Sequence, residues 1–371
     1  MKTLLIEVQS KQCRPYGDCP QSGFSLIELM VAMVVSLLIM GAVLTLFLDV
    51  TRTNDEMAKT NIQIENGRFA IQLLQSDLSH GGFWDGYVPQ FDDLTLTTVA
   101  SDAPTSVPNP CLAYSDADWT TEYKNNVLGI PVQAYDDAPT GCTTASPAIG
   151  TDIKANTDFL VVRHAETCVA GVGGCENTAG KVYFQTSSCS TLPETAYSYV
   201  LDTDDHDLRQ MDCATAADRR KFVSNIYYIR DDDTLMRSQF DLKDGDNEHL
   251  SAQPMIEGVE GFRVELGIDD GPVDGAPDTY VRCPLADISA DTTAPSTHPA
   301  ATVCTEDQLA NVVAVKVYVL VRSLTATPGY TDGKTYSLGT TTLGPFNDNF
   351  KRHVFSSTVR LNNISGRREA P

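Results

Sequence analysis

The sequence predicts an α+β fold: one long N-terminal α-helix followed by a β-rich, mainly antiparallel head braced by disulfides. Three observations predict it. A run of twenty uncharged residues from Leu29 to Leu48 leads into a helical repeat. Short runs of β-branched and aromatic residues then alternate with turn residues. From Cys111 onward there are eight cysteines, an even number typical of an exported, disulfide-bonded domain.

The apolar run is long enough to cross a membrane. Twenty residues at a rise of about 1.5 Å match the roughly 30 Å hydrocarbon core of a bilayer, where a helix satisfies its own backbone. Glu28 lies at the edge of this run. Its chemistry leaves two interpretations open: a helix-start acid at the positive end of the helix dipole, or an intramembrane carboxylate with a functional partner.

The stretch Gly23-Phe24-Ser25-Leu26-Ile27-Glu28, with the apolar run behind it, resembles the prepilin signature of type IV pilins and type II secretion pseudopilins. The resemblance implies that a prepilin peptidase cleaves between Gly23 and Phe24 and methylates the new amine of Phe24. It also implies that Glu28 faces the N-terminal amine of a neighbouring subunit during filament assembly. A carboxylate and an ammonium group that are both costly in lipid relieve each other when they meet.

Beyond the apolar run, the sequence predicts an amphipathic continuation of the helix. The charges in this part populate the other faces, and Gly81-Gly82 is expected to end the helix. We expect the apolar stripe to pack on the chain's own head, with a free coiled coil as the alternative. The stripe consists of apolar residues recurring every seven positions: Val50, Met57, Ile64, Ile71 and Leu78.

These signals divide the chain into consecutive parts. The predicted parts are a leader over 1–23, a pilin helix over 24–80 (transmembrane over about 24–48, amphipathic over 49–80), a β-rich head over 81–363 and a frayed tail over 364–371.

Within the head, residues 83–150 predict long irregular connections with short strands, and stronger strand signals follow. The segment Arg230–Thr234 is expected to form a tight hairpin between its two flanking strands. The predicted strands lie at 157–163, 181–186, 221–230, 234–240, 258–267, 311–323 and 353–361.

The eight cysteines are disulfide candidates whose connectivity cannot be deduced from sequence alone. Pairing each with its nearest neighbour in sequence gives Cys111–Cys142, Cys168–Cys175, Cys189–Cys213 and Cys283–Cys304.

Several stretches of the head, taken in order over residues 157–363, are similar to the PilW group of minor pilins and to the related J-type pseudopilins. They are FLVVRHA, YYIR followed by LMRS, IEGVEGFRVELGID, VVAVKVYVLVRS and FSSTVRLNN. The resemblance implies a pilin-like fold and a minor pilin of the initiation or tip complex of a type IV pilus, supporting adhesion and twitching motility.

The same resemblance implies partners and a location. The partners would be other minor pilins and the major pilin, contacted through the N-terminal helix, together with the prepilin peptidase, the inner-membrane assembly platform and a large tip adhesin. The protein would sit in the inner membrane as a single-pass protein with a periplasmic head, and then in the pilus at the cell surface. A type II secretion pseudopilin of the J type and a membrane-anchored, adhesin-like binding module are the alternatives.

No catalytic or cofactor motif stands out in the sequence. It contains no GxxxxGK[ST] loop, no HExxH pair and no GxSxG elbow, so we expect neither an enzyme nor a cofactor. A net charge of −22 argues against nucleic acid as a partner. One acidic loop, with Asp269, Asp270, Asp274 and Asp278, predicts solvated turns, with a calcium site as the weaker alternative.

Overall fold

The computed structural model describes residues 23–139, 142, 149–189, 191, 198–282 and 304–369. Helix α1 (Leu26–His80) extends through two units, Met1–Met57 and Ala58–Pro371. As predicted, α1 ends immediately before Gly81-Gly82. Gly82 has φ +70°, and its N–H donates to the Arg163 carbonyl at 3.0 Å, so the chain leaves the helix directly toward a strand of the head.

The described part of the head is built on three sheets, and every pairing between their strands is antiparallel. The first sheet comprises β1 (Val132–Tyr135), β2 (Phe159–Ala165), β3 (Tyr183–Thr186), β4 (Tyr199–Asp202), β5 (Arg219–Arg230), β6 (Thr234–Lys243), β7 (Asp246–His249) and β8 (Gln253–Glu257). The second comprises β9 (Val259–Ile268), β10 (Thr279–Val281), β11 (Val312–Arg322) and β14 (Arg352–Arg360), and a hairpin joins β12 (Tyr336–Leu338) to β13 (Thr341–Leu343).

The predicted strands are present as β2, β3, β5, β6, β9, β11 and β14, and Asp231–Asp233 form the tight turn between β5 and β6. The segment predicted as irregular connections with short strands holds the short strand β1 and also helix α2 (Thr121–Gly129), which the sequence did not reveal. Thr120 caps α2 by accepting the Tyr123 N–H at 3.2 Å. A short helix α3 (Glu306–Ala310) precedes β11.

The second half of α1 is part of the core of the head. Its buried residues are Gln63, Gly67, Ala70, Leu74 and Leu78, and the last three join the valines of β11 in one hydrophobic cluster. The predicted heptad stripe is therefore only partly right. Leu78 is buried and Ile71 packs against the cluster, whereas Val50 and Met57 are exposed.

Small and polar side chains set the buried face of α1, which is why apolar periodicity placed it imperfectly. An ideal Cβ built on Gly67 would lie 2.1 Å from Cε2 of Phe355, so only glycine permits this close approach of helix and strand. The Gln63 amide donates to the carbonyls of Val321 and Lys351 at 2.7 and 3.0 Å. The hydrophobic periodicity of the sequence therefore identifies neither Gln63 nor Gly67 as a buried residue.

The predicted frayed tail is wrong over its described part. Asn362–Arg368 form helix α4, in which Ile364, Ser365 and Arg368 are buried. The Arg368 guanidinium donates to the buried Asp92 carboxylate at 2.5 Å and to the Ala310 carbonyl at 3.0 Å. The basic residues that suggested a solvated tail are in fact paired, and they fix the C-terminal segment to the head.

We predict that Gly67→Ala lowers the free energy of unfolding of the head by about 1–3 kcal/mol, because the new methyl group must displace the Phe355 ring. In an open helical position the same change stabilises by up to about 1 kcal/mol. The control is therefore Gly366→Ala in α4, where nothing lies within 4 Å of the added Cβ. Denaturant unfolding measures both variants, and equal effects would contradict the packing described.

Candidate functional site

The N-terminal end of α1 is fully accessible in the described chain. Phe24 is 88% exposed, and no atom lies within 4 Å of a Cβ built on Gly23. The peptide bond between these two residues, which the sequence singled out, can therefore be approached closely by a second molecule.

Ser25 and Glu28 form a reciprocal capping box at the start of α1. The Ser25 N–H donates to Oε2 of Glu28 at 2.9 Å, and the Glu28 N–H donates to Oγ of Ser25 at 3.2 Å. Within a single chain Glu28 thus acts as the helix-start acid. Ser25 was not among the predicted site residues, although its S-x-x-E spacing to Glu28 is the sequence signal of a capping box.

The capping arrangement leaves the Glu28 carboxylate available to a second partner, because both side chains are exposed. A carboxylate offers about four acceptor positions, of which the Ser25 N–H uses one. Glu28 can therefore accept from a cation of another molecule while α1 stays capped.

Behind Glu28, the helix presents apolar side chains on all of its faces. The described residues of the unit Met1–Met57 are exposed almost without exception, and the apolar ones among them include Met33, Leu38 and Phe47. By length and composition this is a helix that can cross a membrane. The Thr45 hydroxyl within the run donates to the Ala42 carbonyl at 2.9 Å, so this polar group is satisfied by its own helix.

Two of the predicted disulfides are formed in the head. Cys111–Cys142 and Cys189–Cys213 are bonded, each with a Cα–Cα distance of 5.0 Å. Cys304 is also disulfide-bonded, while Cys283 lies outside the described residues, so the pairing of these two stays a prediction.

The predicted Cys168–Cys175 pair is not bonded, and both residues are free thiols. A hydrogen bond with Cys175 and the nearby Glu166 carboxylate, 3.5 Å from Sγ, raise the pKa of Cys168 to about 12. Nearest-neighbour pairing in sequence is therefore wrong for these two cysteines.

The acidic loop uses three of its four carboxylates to hold its own turns. Asp269, Asp274 and Asp278 accept the N–H groups of Gly275, Ala276 and Gly271 at 3.1, 2.9 and 2.7 Å, and Asp270 is exposed. Among the residues that the structure describes, no group of three or more His, Cys, Asp or Glu side chains could hold a metal ion. The carboxylates thus have a local structural role as turn acceptors.

One histidine lies between two hydroxyl groups in the core of the head. Oγ of Ser224 and Oγ of Ser238 are each 3.2 Å from a ring nitrogen of His249. Burial lowers the pKa of His249 to about 3, so the ring is neutral. Since all three residues are buried, the arrangement lacks access for a substrate and links strands β5, β6 and β7.

We predict that replacing Cys111 and Cys142 together by serine lowers the free energy of unfolding by about 3 kcal/mol, because the bond closes a loop with a sequence separation of 31. The matched control replaces Cys168 and Cys175 by serine and should change it by about 0.5 kcal/mol or less, since neither thiol is bonded. Denaturant unfolding under non-reducing conditions compares them. A control as destabilised as the first variant would refute this assignment.

Comparisons with known proteins agree with this arrangement at two places along the chain. The family model described as type IV pilus-assembly protein W matches residues 226–363, from β5 to the start of α4. The prokaryotic N-terminal methylation motif matches residues 19–44, which include the Gly23–Phe24 junction and Glu28.

A comparison with curated proteins gives no match. Among solved structures, a type IV-like pilin from Thermus thermophilus is similar at 16% identity, covering 56% of this chain and 78% of its own, with a TM-score of 0.29. That likeness is too distant to carry any conclusion. Over residues 226–363 the chain is similar to the type IV pilus-assembly protein W family, and over residues 19–44 it matches the N-terminal methylation motif, in front of an exposed apolar helix.

Proposed function

We propose that this protein acts in the initiation or tip complex of a type IV pilus and thereby supports adhesion and twitching motility. The observation that carries the proposal is the exposed N-terminal stretch, in which Phe24 and Glu28 open a helix that is apolar on all its faces. Such a helix needs lipid or other helices around it.

In this proposal residues 1–23 are a leader, which a prepilin peptidase removes by cleaving between Gly23 and Phe24. The new amine of Phe24 is then methylated. Cleavage places a cation four residues before Glu28, at the edge of the membrane-spanning segment over about 24–48. Both charges are costly in lipid, which favours pairing between subunits.

Assembly would follow from this pairing and from helix packing. The protein would first sit in the inner membrane as a single-pass protein with a periplasmic head, and the assembly platform would draw it into the filament. There Glu28 would accept a hydrogen bond from the Phe24 amine of a neighbouring pilin while the apolar helices pack together. Other minor pilins and the major pilin are the partners in the helical core.

The head suits a position at the tip. The described part of residues 81–363 contains two disulfides and several sheets, and so large a head fits the end of a filament better than its repeating shaft, an argument by analogy. A large tip adhesin is then a further partner. We propose a structural role without catalysis, since the buried His249 links strands and the carboxylates of the acidic loop hold turns.

The two alternatives, a J-type pseudopilin of type II secretion and an adhesin-like binding module, lack an observation in their favour. The family match over 226–363 names pilus assembly.

We predict that Glu28→Gln and Glu28→Ala each reduce the number of surface pili about tenfold or more, because both remove the charge that pairs with the neighbouring amine. The glutamine can still accept the Ser25 N–H and cap α1, so it separates the ion pair from the cap. The exposed Glu65→Ala on the same helix is the control and should leave piliation unchanged.

Electron microscopy of cells and quantification of sheared pili provide the count. If Glu28→Gln assembles pili as the wild type does while Glu28→Ala does not, then the helix cap accounts for Glu28 and the intersubunit ion pair is wrong.

A further inference from the structure

In the described part of the head, one sheet edge is long and unpaired. Among the described residues, strand β14, at the edge of the four-stranded sheet, pairs only with β11, over nine residues in unbroken register. The other edge strands in the described part of the chain are shorter or blocked: β1, β4 and β7 have four residues, β10 has three, and β8 contains Pro254. Folded proteins usually shield long edges, because their unpaired backbone groups bind other strands.

The register shows which backbone groups of β14 are free. The Arg322 N–H donates to the Gly258 carbonyl, and the Leu361 N–H donates to the Val313 carbonyl. The backbone N–H and C=O groups of even-numbered residues of β11 therefore point toward β9, and those of odd-numbered residues point toward β14. Ser357 pairs with Val317, so its backbone N–H and C=O groups form hydrogen bonds with β11. The residues two positions before and after Ser357 do the same.

The N–H and C=O groups of the alternate residues Val354, Ser356 and Thr358 consequently point away from the sheet. These six groups extend over about 14 Å, the length of a short incoming strand. The side chains of Ser356 and Thr358 are exposed, and between Arg352 and Arg360 the strand carries neither proline nor bulge. Over these residues the edge therefore lacks the prolines and bulges that usually prevent an edge strand from pairing with another strand.

Helix α1 packs beside this edge. The Gln75 amide donates to Oγ of Ser357 at 2.6 Å, which places that side of the helix over β14. Ile64 and Arg68 share this side by helical spacing, and Arg68 is exposed. An occupant of the edge would therefore gain from an apolar residue and from a carboxylate near Arg68.

A second copy of this chain fits poorly as the occupant. Each chain carries a net charge of −22, which opposes self-association.

We propose that the free edge of β14, defined by Val354, Ser356 and Thr358, receives an extended segment of a different pilus subunit as an added fifth strand. The segment carries an acidic residue that meets Arg68. Main-chain hydrogen bonds of this kind supply affinity, while the flanking side chains supply specificity. This inference rests on the filament role proposed above and adds a contact made by the head to those of the N-terminal helix.

Hydrogen exchange of the wild-type protein tests the pairing directly. The full chain is compared in detergent extract and in sheared filaments, and the amides of Val354, Ser356 and Thr358 should exchange at least about tenfold more slowly in filaments. The amides of the other edge strand, β10, are the internal control and should change little. Equal exchange of the β14 amides in both states overturns the proposal.

A site-specific crosslink identifies the occupant. A photoreactive benzoylphenylalanine at position 356 should give an adduct with a different chain present in the filament fraction, whereas the probe at Ser337, exposed on β12, should not. Thr358→Pro removes one outward N–H and leaves the hydrogen bonds to β11 in place, so it should reduce the adduct about tenfold. Its thermal unfolding reports whether the head still folds.

An adduct between two copies of this chain, or one that a folded Thr358→Pro leaves undiminished, overturns the proposal. These outcomes differ from a failure of the proposed function itself. In that case the wild-type chain is absent from the filament fraction, before any question about β14 arises.

Discussion

The structure of the head depends on the close packing of α1 against the sheet formed by β9, β11 and β14. Gly67 lacks a side chain, and the Phe355 ring occupies the space that any other residue would need. Ala70, Leu74 and Leu78 continue this contact into the main hydrophobic cluster. The same helix begins at Leu26 with exposed apolar residues. Its first part is therefore suited to a membrane, and its second part belongs to the core of the head.

Buried ion pairs then hold the connections around this core. Asp158 accepts hydrogen bonds from Arg263 and Arg282, both at 2.7 Å, and joins residues more than a hundred positions apart. Arg352 is fully buried and pairs with the carboxylates of Glu260, Asp332 and Asp348. Removing one partner of such a pair typically costs about 3–5 kcal/mol, because the remaining charge stays buried without compensation. These residues specify where the long loops lie.

The sequence predicted those features that local chemistry decides. Twenty apolar residues, the glycines that end α1 and the β-branched runs of β5, β9 and β11 needed no tertiary information. The missed features depend on partners distant in sequence. Gln63 and Gly67 form the buried face of α1 because of Val321 and Phe355, and Arg368 is buried because Asp92 lies across from it. At the candidate site Glu28 stood out, while Ser25 required attention to its capping partner.

The intact mass of the protein extracted from membranes, combined with sequencing of its N-terminus, tests most directly whether the leader is removed. We expect a chain that begins at N-methylated Phe24, with the cation and Glu28 at the start of the exposed apolar helix. That result would place the protein among processed pilins and give Glu28 its partner. A chain that still carries its leader and begins at Met1 would contradict the proposed processing and assembly role, because residues 24–48 would then be a simple membrane anchor.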